Sequence, residues 1–273
     1  MSVTLQLLQL DFVQTTLVAC ALLGILSGVM APLIVLRQMS FSVHATSELA
    51  LMGASAALLF GLNVGVGAVA GAVVAALVLA LLGLRGQQDS AVGVVMSFGM
   101  ALSVLFIHLY PGNSNRALSL LTGQIVGVSA QNVWLLALTA ALVLGVVIAL
   151  WRPLLFASAD PVMAAACGVP VRAMSLTFAV LVGLASAQSV QIVGALLVMS
   201  LLITPGAAAA QITANPVRAV VLSVLFAELA AVGGMILSLA PGLPVSVFVA
   251  FIAFGIYLVC WSVGRVRERR IRA

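Results

Sequence analysis

Long apolar stretches, separated by short polar segments, constrain this chain more than any other feature. A helix needs about 20 mainly apolar residues to cross the hydrocarbon core of a bilayer, and cutting the sequence at its polar residues gives nine stretches of about that length. They are 14–36, 43–61, 64–84, 89–110, 133–152, 172–189, 191–211, 216–239 and 243–263. The sequence therefore predicts an all-α polytopic membrane protein with about nine spans in a single domain, residues 1–273.

The least distinct boundary lies between the stretches 172–189 and 191–211. Pro205 and a run of alanines shorten the second stretch, and proline interrupts helical hydrogen bonding. Eight full spans plus one broken helix is therefore the alternative. Composition agrees with either count, because 64% of the residues are hydrophobic and 6% are charged, whereas roughly a quarter of the residues of a soluble globular protein are charged.

The positions of the arginines predict how the spans are oriented. Basic residues concentrate on the cytoplasmic side of membrane proteins, which places the arginine-rich tail 264–273 in the cytoplasm. The further arginines that then fall on this side are Arg37, Arg85, Arg152, Arg172 and Arg218. Arg116 falls outside. The net charge of +5 is thus explained by membrane-flanking arginines and does not indicate nucleic-acid binding.

Two residue types limit the chemistry of the chain. It contains no lysine, and a phosphate-binding P-loop requires a Gly-Lys-Ser/Thr sequence, so the chain cannot hydrolyse ATP by that route. Cys20, Cys167 and Cys260 are far apart and form no CxxC pair, which argues against a zinc-finger or redox site. We expect no enzymatic activity and no cofactor bound by this chain. If ATP drives it, another subunit binds the ATP.

His44 and Glu48 form the clearest candidate site. They are four residues apart, about one helical turn, so both side chains leave the same face of a helix. Ionisable residues in a bilayer are costly and usually face the interior of the bundle, where they contact ions or substrates. An imidazole beside a carboxylate suits a divalent cation such as zinc or manganese. The structural alternative is a helix cap or an interhelical hydrogen-bonded pair.

The cytoplasmic segment 153–171 reads PLLFASADPVMAAACGVPV. Its sequence predicts a helix cap at Ser158 or Asp160, a short alanine-rich helix, and a helix end at Gly168. Such a helix is either a docking element or an ordinary connector. On the other side, the segment 111–132 contains an apolar stretch, 117–128, too short to cross the membrane, which predicts a re-entrant or surface helix.

Other residues give weaker signals. Glu228, in the middle of the stretch 216–239, has equal support for a hydrogen bond between helices and for a place in a transport pathway. Five methionines share no face and are interpreted as packing residues. They are Met96, Met100, Met163, Met199 and Met235.

Five motifs together resemble the zinc/manganese class of ATP-binding-cassette permeases. RQMSFSVHATSELALMG, from Arg37, is similar to the family's second helix, which typically reads Arg-x-x-Ser-Leu, then Asp-x-x-x-His and Pro-Gly. DSAVGVVMSFGMALSVL from Asp89 resembles its fourth helix, and LLTGQIVGVS from Leu120 its outer Gly-rich helix. DPVMAAACGVPV resembles its coupling helix, and VGALLVMSLLITPGAAAA from Val193 its late Pro-Ala-Ala run. The motifs occur in the family's order over nearly the whole chain.

The resemblance implies a metal/siderophore-importer-like permease fold in a bacterial cytoplasmic (inner) membrane. It implies a homodimer around a central pathway, with an ATPase subunit below and an extracytoplasmic metal-binding protein above. His44 and Glu48 would bind the metal, and Ser47 would position Glu48 through a hydrogen bond. Residues expected to couple the chain to the ATPase are Asp160, Ala164, Ala165 and Gly168.

One departure from the family pattern concerns the ligands themselves. The family typically has Asp and then His one turn later, whereas this chain has His44 and then Glu48. The ligand types are kept and their order is reversed. We expect a divalent metal importer that works by alternating access, with zinc as the first choice of substrate and manganese as the second. The alternatives are a permease for iron-siderophore or cobalamin-type chelates, a secondary metal transporter, and a membrane anchor without transport activity.

Overall fold

The computed structural model describes residues 10–83, 88–112, 120, 129–194, 198–239 and 244–272, and the regular elements in this part of the chain are helices. Numbered in chain order, they are α1 (Asp11–Leu36), α2 (Ser40–Leu59), α3 (Val64–Gly83), α4 (Gln88–Leu109), α5 (Ala130–Ala149), α6 (Trp151–Ala159), α7 (Pro161–Ala166), α8 (Val171–Val193), α9 (Val198–Leu202), α10 (Thr204–Ile212), α11 (Pro216–Ser238) and α12 (Val245–Arg272).

Six helices in the described ranges are long and apolar enough to cross a membrane, so the expected number of about nine spans is not matched. They are Asp11–Leu36, Val92–Leu109, Ala130–Ala149, Val171–Gln191, Pro216–Ser238 and Val245–Arg267. Helix α2 has the length but is not among them, because it contains His44, Glu48 and several hydroxyl side chains. The part of α3 whose side chains are described, Val64–Leu79, is apolar.

The stretch 191–211 is broken, as the alternative prediction has it. Helix α8 continues through the expected boundary at 189–191 and ends before Gly194, whose φ of 89° lies in a region that glycine adopts readily. Helices α9 and α10 follow and are separated at Ile203, where the backbone leaves helical geometry (φ −122°). Pro205 lies in the first turn of α10, where its missing N–H costs no helical hydrogen bond.

Helix α2 packs closely against α3, α4 and α8. Glycines allow this approach: Gly53 of α2 lies against the carbonyl oxygen of Gly67, and a Cβ on Gly53 would lie 2.9 Å from the Cα of Gly71. Small residues at such contacts let two membrane helices approach to backbone distance. The helix that carries the candidate ligands is therefore held tightly on the side that faces α3.

Three helices at the periphery expose large apolar side chains. Val94 of α4 is 71% exposed, Trp134 of α5 is 78% exposed and Phe251 of α12 is 72% exposed. Apolar surfaces of this extent are typical of contact with lipid or with another chain. The largest buried side chains include Leu23 and Met30 of α1 and Phe178 of α8.

Four of the described arginines come together in two pairs near helix ends. Arg37 and Arg172 line one cavity, and Arg218 and Arg267 line another. This pairing agrees with a common side for the arginines, although Arg85 and Arg116 lie outside the described residues. The expected tail 264–273 is not a separate segment, because α12 continues to Arg272. The expected outer helix 117–128 also lies outside the described residues, apart from Leu120.

We expect Gly53→Val to destabilise the protein by about 1–3 kcal/mol, because the added side chain would overlap the backbone of α3. In a chain of this size that corresponds to a decrease in Tm of about 2–10 °C. Thermal unfolding of the purified protein in detergent would measure it. Gly145→Val in α5 is the matched control, since a Cβ there meets no atom within 4 Å. An equal decrease in both variants would contradict the close α2–α3 contact.

Candidate metal site and cytoplasmic surface

A tight turn places the candidate ligands near the beginning of α2. The turn spans Arg37 to Met39 between α1 and α2, and Gln38 at its centre has a φ of 55°, which is uncommon for a residue other than glycine. The amide of Met39 donates to the carbonyl of Ile34 at 3.1 Å, and this bond closes the turn. His44 thus lies just over one helical turn into α2.

His44 and Glu48 share one face of α2, as their spacing predicts. Glu48 is only 4% exposed, whereas His44 is partly exposed. Nδ1 of His44 is buried and has no hydrogen-bond partner among the described residues. One and two turns further along the same face, Met52 and Ala56 are also partly exposed. This face is therefore left incompletely covered by the described part of the chain.

Ser47 does not make the hydrogen bond expected of it. Its hydroxyl donates to the carbonyl of His44 at 2.7 Å, and a hydroxyl has one proton to donate. The backbone of Glu48 lies beside another hydroxyl, that of Ser103 of α4. The Oγ of Ser103 lies 2.8 Å from the carbonyl oxygen of Gly99 and 3.4 Å from that of Glu48. The position of Ser103 beside Glu48 was not predicted, since one serine in an apolar stretch gives no signal of its own.

The chain supplies only part of a complete metal coordination sphere. Among the described residues, no three His, Cys, Asp or Glu side chains come together. His44 and Glu48 contribute one imidazole and one carboxylate, whereas protein zinc sites usually have three or four protein ligands. A metal bound by this pair would need further ligands from solvent or from a second copy of the chain.

Glu228 lies in a different place, on α11 where it packs against α1. A Cβ on Gly24 of α1 would lie 2.6 Å from Oε1 of Glu228, so the absence of a side chain at Gly24 makes room for the carboxylate. Oε1 is buried and has no hydrogen-bond partner among the described residues. The structure therefore places Glu228 at a helix–helix contact and does not group it with the pair on α2.

The segment 153–171 contains the predicted short helix, α7. The carboxylate of Asp160 accepts a hydrogen bond from the amide of Met163 at 2.9 Å, so Asp160 is the N-cap, and Pro161 occupies the first position. At the other end Gly168 has a φ of 81°. The amide of Gly168 donates to the carbonyl of Ala165 at 3.0 Å, and the amide of Val169 donates to the carbonyl of Ala164 at 3.0 Å. The predicted cap and helix end are confirmed, with Asp160 rather than Ser158 as the cap.

The exposed face of α7 differs from the predicted one. Ala164 is fully buried, so it cannot contact a partner in this conformation. Val162 is 80% exposed and Met163 is 54% exposed, and Ala165 is also exposed. The interpretation of Met163 as a packing residue is therefore wrong. We call Val162, Met163 and Ala165 the α7 surface; it is small, apolar and uncovered in the described structure.

Comparisons with known proteins agree on one family. The model of the ABC 3 transport family matches residues 9–264. A manganese transport system membrane protein, MntC, of Halalkalibacterium halodurans is 32% identical over 85% of this chain and 80% of its own length. The manganese import system permease protein ScaB of Streptococcus parasanguinis is 32% identical over 74% of this chain and 72% of its own length.

Two solved structures have the same fold. PsaBC from Streptococcus pneumoniae, solved in complex with a Fab, superposes with a TM-score of 0.86 at 26% identity, covering 94% of each chain. A metal-chelate type ABC transporter in an inward-facing conformation superposes with a TM-score of 0.69 at 17% identity, covering 90% of this chain and 84% of its own. At that identity the second likeness shows the fold alone.

Gly24→Ala should lower the Tm, because the new methyl group would overlap the carboxylate of Glu228. In the background of Glu228→Ala the same change should lower the Tm by less than half as much, since the carboxylate is gone. Thermal unfolding of the four proteins forms a double-mutant cycle. The same loss in both backgrounds would mean that Glu228 does not occupy the space beside Gly24.

Proposed function

The chain belongs to the ABC 3 transport family, a family of metal transporter permeases, and we propose that it is the permease subunit of a bacterial ATP-driven manganese importer. The membrane expected for such a subunit is the cytoplasmic one. Zinc was the first expectation from the ligand types, but the similar proteins are named for manganese. Manganese therefore becomes the first choice and zinc the second.

The observation that carries the proposal is the His44–Glu48 pair on an incompletely covered face of α2. Glu48 is buried and Nδ1 of His44 is unpartnered among the described residues, which is an arrangement with donors available for a cation. Two copies of the chain, facing each other, would supply two imidazole nitrogens and up to four carboxylate oxygens. Six donors of this kind suit octahedral manganese, while four suit zinc.

Such a site would carry a cation across the membrane by alternating access. A dehydrated cation delivered from outside would bind between the paired His44 and Glu48 residues, and movement of the helices would open the site to the cytoplasm. Since the chain lacks the lysine of a P-loop, a separate ATPase subunit supplies the energy, and the permease itself is not catalytic. An extracytoplasmic metal-binding protein completes the system.

The ATPase would contact the chain at the α7 surface. Val162 and Met163 present apolar side chains there, and Ala165 leaves room for close approach. Asp160 and Gly168 fix the two ends of the helix. Their role in coupling would be to position the α7 surface, and the contact itself would be made by other residues.

A chelate importer of the siderophore or cobalamin class is the remaining candidate with this fold. The likeness to the metal-chelate type transporter concerns the fold alone. A large chelate already satisfies the ligands of its metal and would gain nothing from an imidazole and a carboxylate in the pathway. The pair on α2 therefore favours a bare divalent cation.

We expect His44→Ala and Glu48→Ala each to lower manganese uptake about tenfold or more, because the loss of a ligand from a dehydrated cation costs at least about 1.4 kcal/mol. Uptake would be measured in vesicles that contain the permease and its ATPase, and co-purification of the ATPase would show assembly. Ser55→Ala is the matched control, since Ser55 is buried in the same helix and donates only to the carbonyl of Met52.

The exchanged variant His44→Asp with Glu48→His should retain appreciable transport, because it restores the family's own order of the same ligand types. Normal uptake by the double alanine variant would refute the site. Parallel measurements with zinc would establish which metal is preferred.

Ala165→Arg and Gly168→Val should uncouple ATP hydrolysis from uptake while leaving metal affinity unchanged. The first places a charged side chain on the α7 surface. The second forces a β-branched residue into a backbone conformation with a φ of 81°, which such residues resist. The measurements are co-purification of the ATPase and ATP-dependent uptake in vesicles.

The matched control for this experiment is Ala214→Arg, an exposed alanine between α10 and α11. The variant also tests a second possible position for the ATPase contact, the segment 209–218 around this connection. Uncoupling by Ala214→Arg together with normal coupling in both α7 variants would place the ATPase contact there, and α7 would be a passive connector.

A further inference from the structure

A cavity of about 510 Å³ opens at the arginine-bearing end of the helices. Helices α2, α3, α4 and α8 form its walls, and α6 and α7 contribute residues at its mouth. We call it the arginine cavity, because Arg37 and Arg172 both line it. None of the described residues that line it is acidic. Among the described residues it therefore presents two positive charges and no carboxylate.

Arg37 is the more constrained of the two arginines, and the contacts described for it are with neutral groups. Its Nε donates to the Oγ of Ser158 at 2.6 Å and its Nη2 lies 3.5 Å from the carbonyl oxygen of Leu154. The guanidinium lies 4.4 Å from the centre of the Phe178 ring. Burial lowers the pKa of Arg37 to about 10. A partly buried cation with neutral partners has unfavourable desolvation that a nearby anion would offset.

The deeper part of the cavity is apolar. Its walls include Ala76 and Leu79 of α3, Val92 of α4, and Val182 of α8. Three large apolar side chains at its edge are exposed: Leu36 (44%), Phe41 (42%) and Leu176 (36%). In a membrane protein, exposed side chains of this kind are compatible with acyl chains. A small soluble anion would use the arginines but would leave this apolar part empty.

The position of the cavity within the bilayer follows from the arginines. They occupy the cytoplasmic side of membrane proteins, where anionic lipids are attracted to basic pockets between helices. A cationic mouth above an apolar interior matches the two chemical halves of such a lipid.

We propose that the arginine cavity binds an anionic phospholipid of the cytoplasmic leaflet, with its phosphate between Arg37 and Arg172 and part of an acyl chain against Ala76 and Val182. Nothing in the metal site itself is needed for this binding. The lipid would pack against the back of α2, because Ser42 and Thr46 line the cavity and each precedes a candidate ligand by two residues. Two residues are about 200° apart around a helix.

The lipid would therefore support α2 from the side opposite His44 and Glu48. This consequence rests on the proposed function, and it predicts that manganese uptake depends on anionic lipid.

Lipid retention tests the binding directly. The complex of permease and ATPase would be incorporated into nanodiscs of phosphatidylcholine with a minority of phosphatidylglycerol, re-purified in detergent, and analysed by lipid mass spectrometry. We expect the wild type to retain phosphatidylglycerol in preference to phosphatidylcholine. Arg172→Gln should lower this retention about fivefold, which corresponds to the loss of one basic contact. Arg152→Gln, at the same side but outside the cavity, should not lower it.

A second pair of variants tests the cavity without changing its charge. Ser175→Trp would fill the mouth, whereas Ala173→Trp places the same side chain on an exposed position of α8 that does not line the cavity. Only the first should lower retention. Normal retention in both Arg172→Gln and Ser175→Trp would overturn the proposal. So would excess inorganic phosphate that displaces the lipid completely, since the site would then select an anion and not a lipid.

Uptake separates this inference from the proposed function. Manganese uptake by the wild type should increase when phosphatidylglycerol is added to phosphatidylcholine vesicles, and Arg172→Gln should keep the basal uptake and lose the increase. His44→Ala should lose uptake and keep lipid retention. Loss of retention in His44→Ala would contradict a lipid site separate from the metal ligands. Retention without any uptake in the wild type would refute the transport function and leave the lipid site standing.

Discussion

Burial of the Glu48 carboxylate inside a membrane helix is the constraint on which the rest of the structure depends. An ionisable group in a bilayer is tolerated where it faces the interior of a bundle or a water-filled path, and Glu48 is only 4% exposed. Glycine contacts hold α2 against α3, and α2 also packs against α4, where Ser103 lies beside the Glu48 backbone. One face, with His44 and Met52, remains partly open, and it is along this face that a cation could reach the carboxylate.

Arg37 connects the beginning of α2 with the segment that carries α7. Arg37 lies in the turn that leads into α2, and it donates to Ser158, two residues before the Asp160 cap of α7. Its guanidinium also stacks on Phe178 of α8. A partner that displaced α7 would thus act on the turn before His44 through a hydrogen bond of 2.6 Å, without any need to distort the packed core.

Local sequence patterns predicted most of the helices. The contacts between helices and the exposure of individual side chains depend on packing and were not predicted. Polar residues predicted the boundaries of α1 and α11 to within a few positions, and Pro205 predicted the broken helix. The apolar stretch 43–61 marked α2 as well, although His44, Glu48 and several hydroxyl side chains lower its mean hydropathy. The shared helix face of His44 and Glu48 was also predicted, since four-residue spacing is a local property. Ser103, the contact of Arg37 with Ser158 and the exposure of Met163 depend on residues distant in sequence, so no local pattern contains them.

The reversed order of the two candidate ligands is compatible with the coordination geometry that the family pattern implies. In the family pattern an aspartate precedes a histidine by one turn, and here His44 precedes Glu48. The carboxylate oxygen of an aspartate is three bonds from Cα, and so is Nδ1 of a histidine. Nε2 of a histidine is four bonds from Cα, and so are the carboxylate oxygens of a glutamate. If His44 binds through Nδ1, the binding atom at position 44 is three bonds from Cα, as in the aspartate of the family pattern. The binding atom of Glu48 is four bonds from Cα, as is Nε2 of the histidine in that pattern. Nδ1 is the His44 nitrogen that is buried without a hydrogen-bond partner among the described residues, so the exchange of aspartate for the longer glutamate has a physical reason.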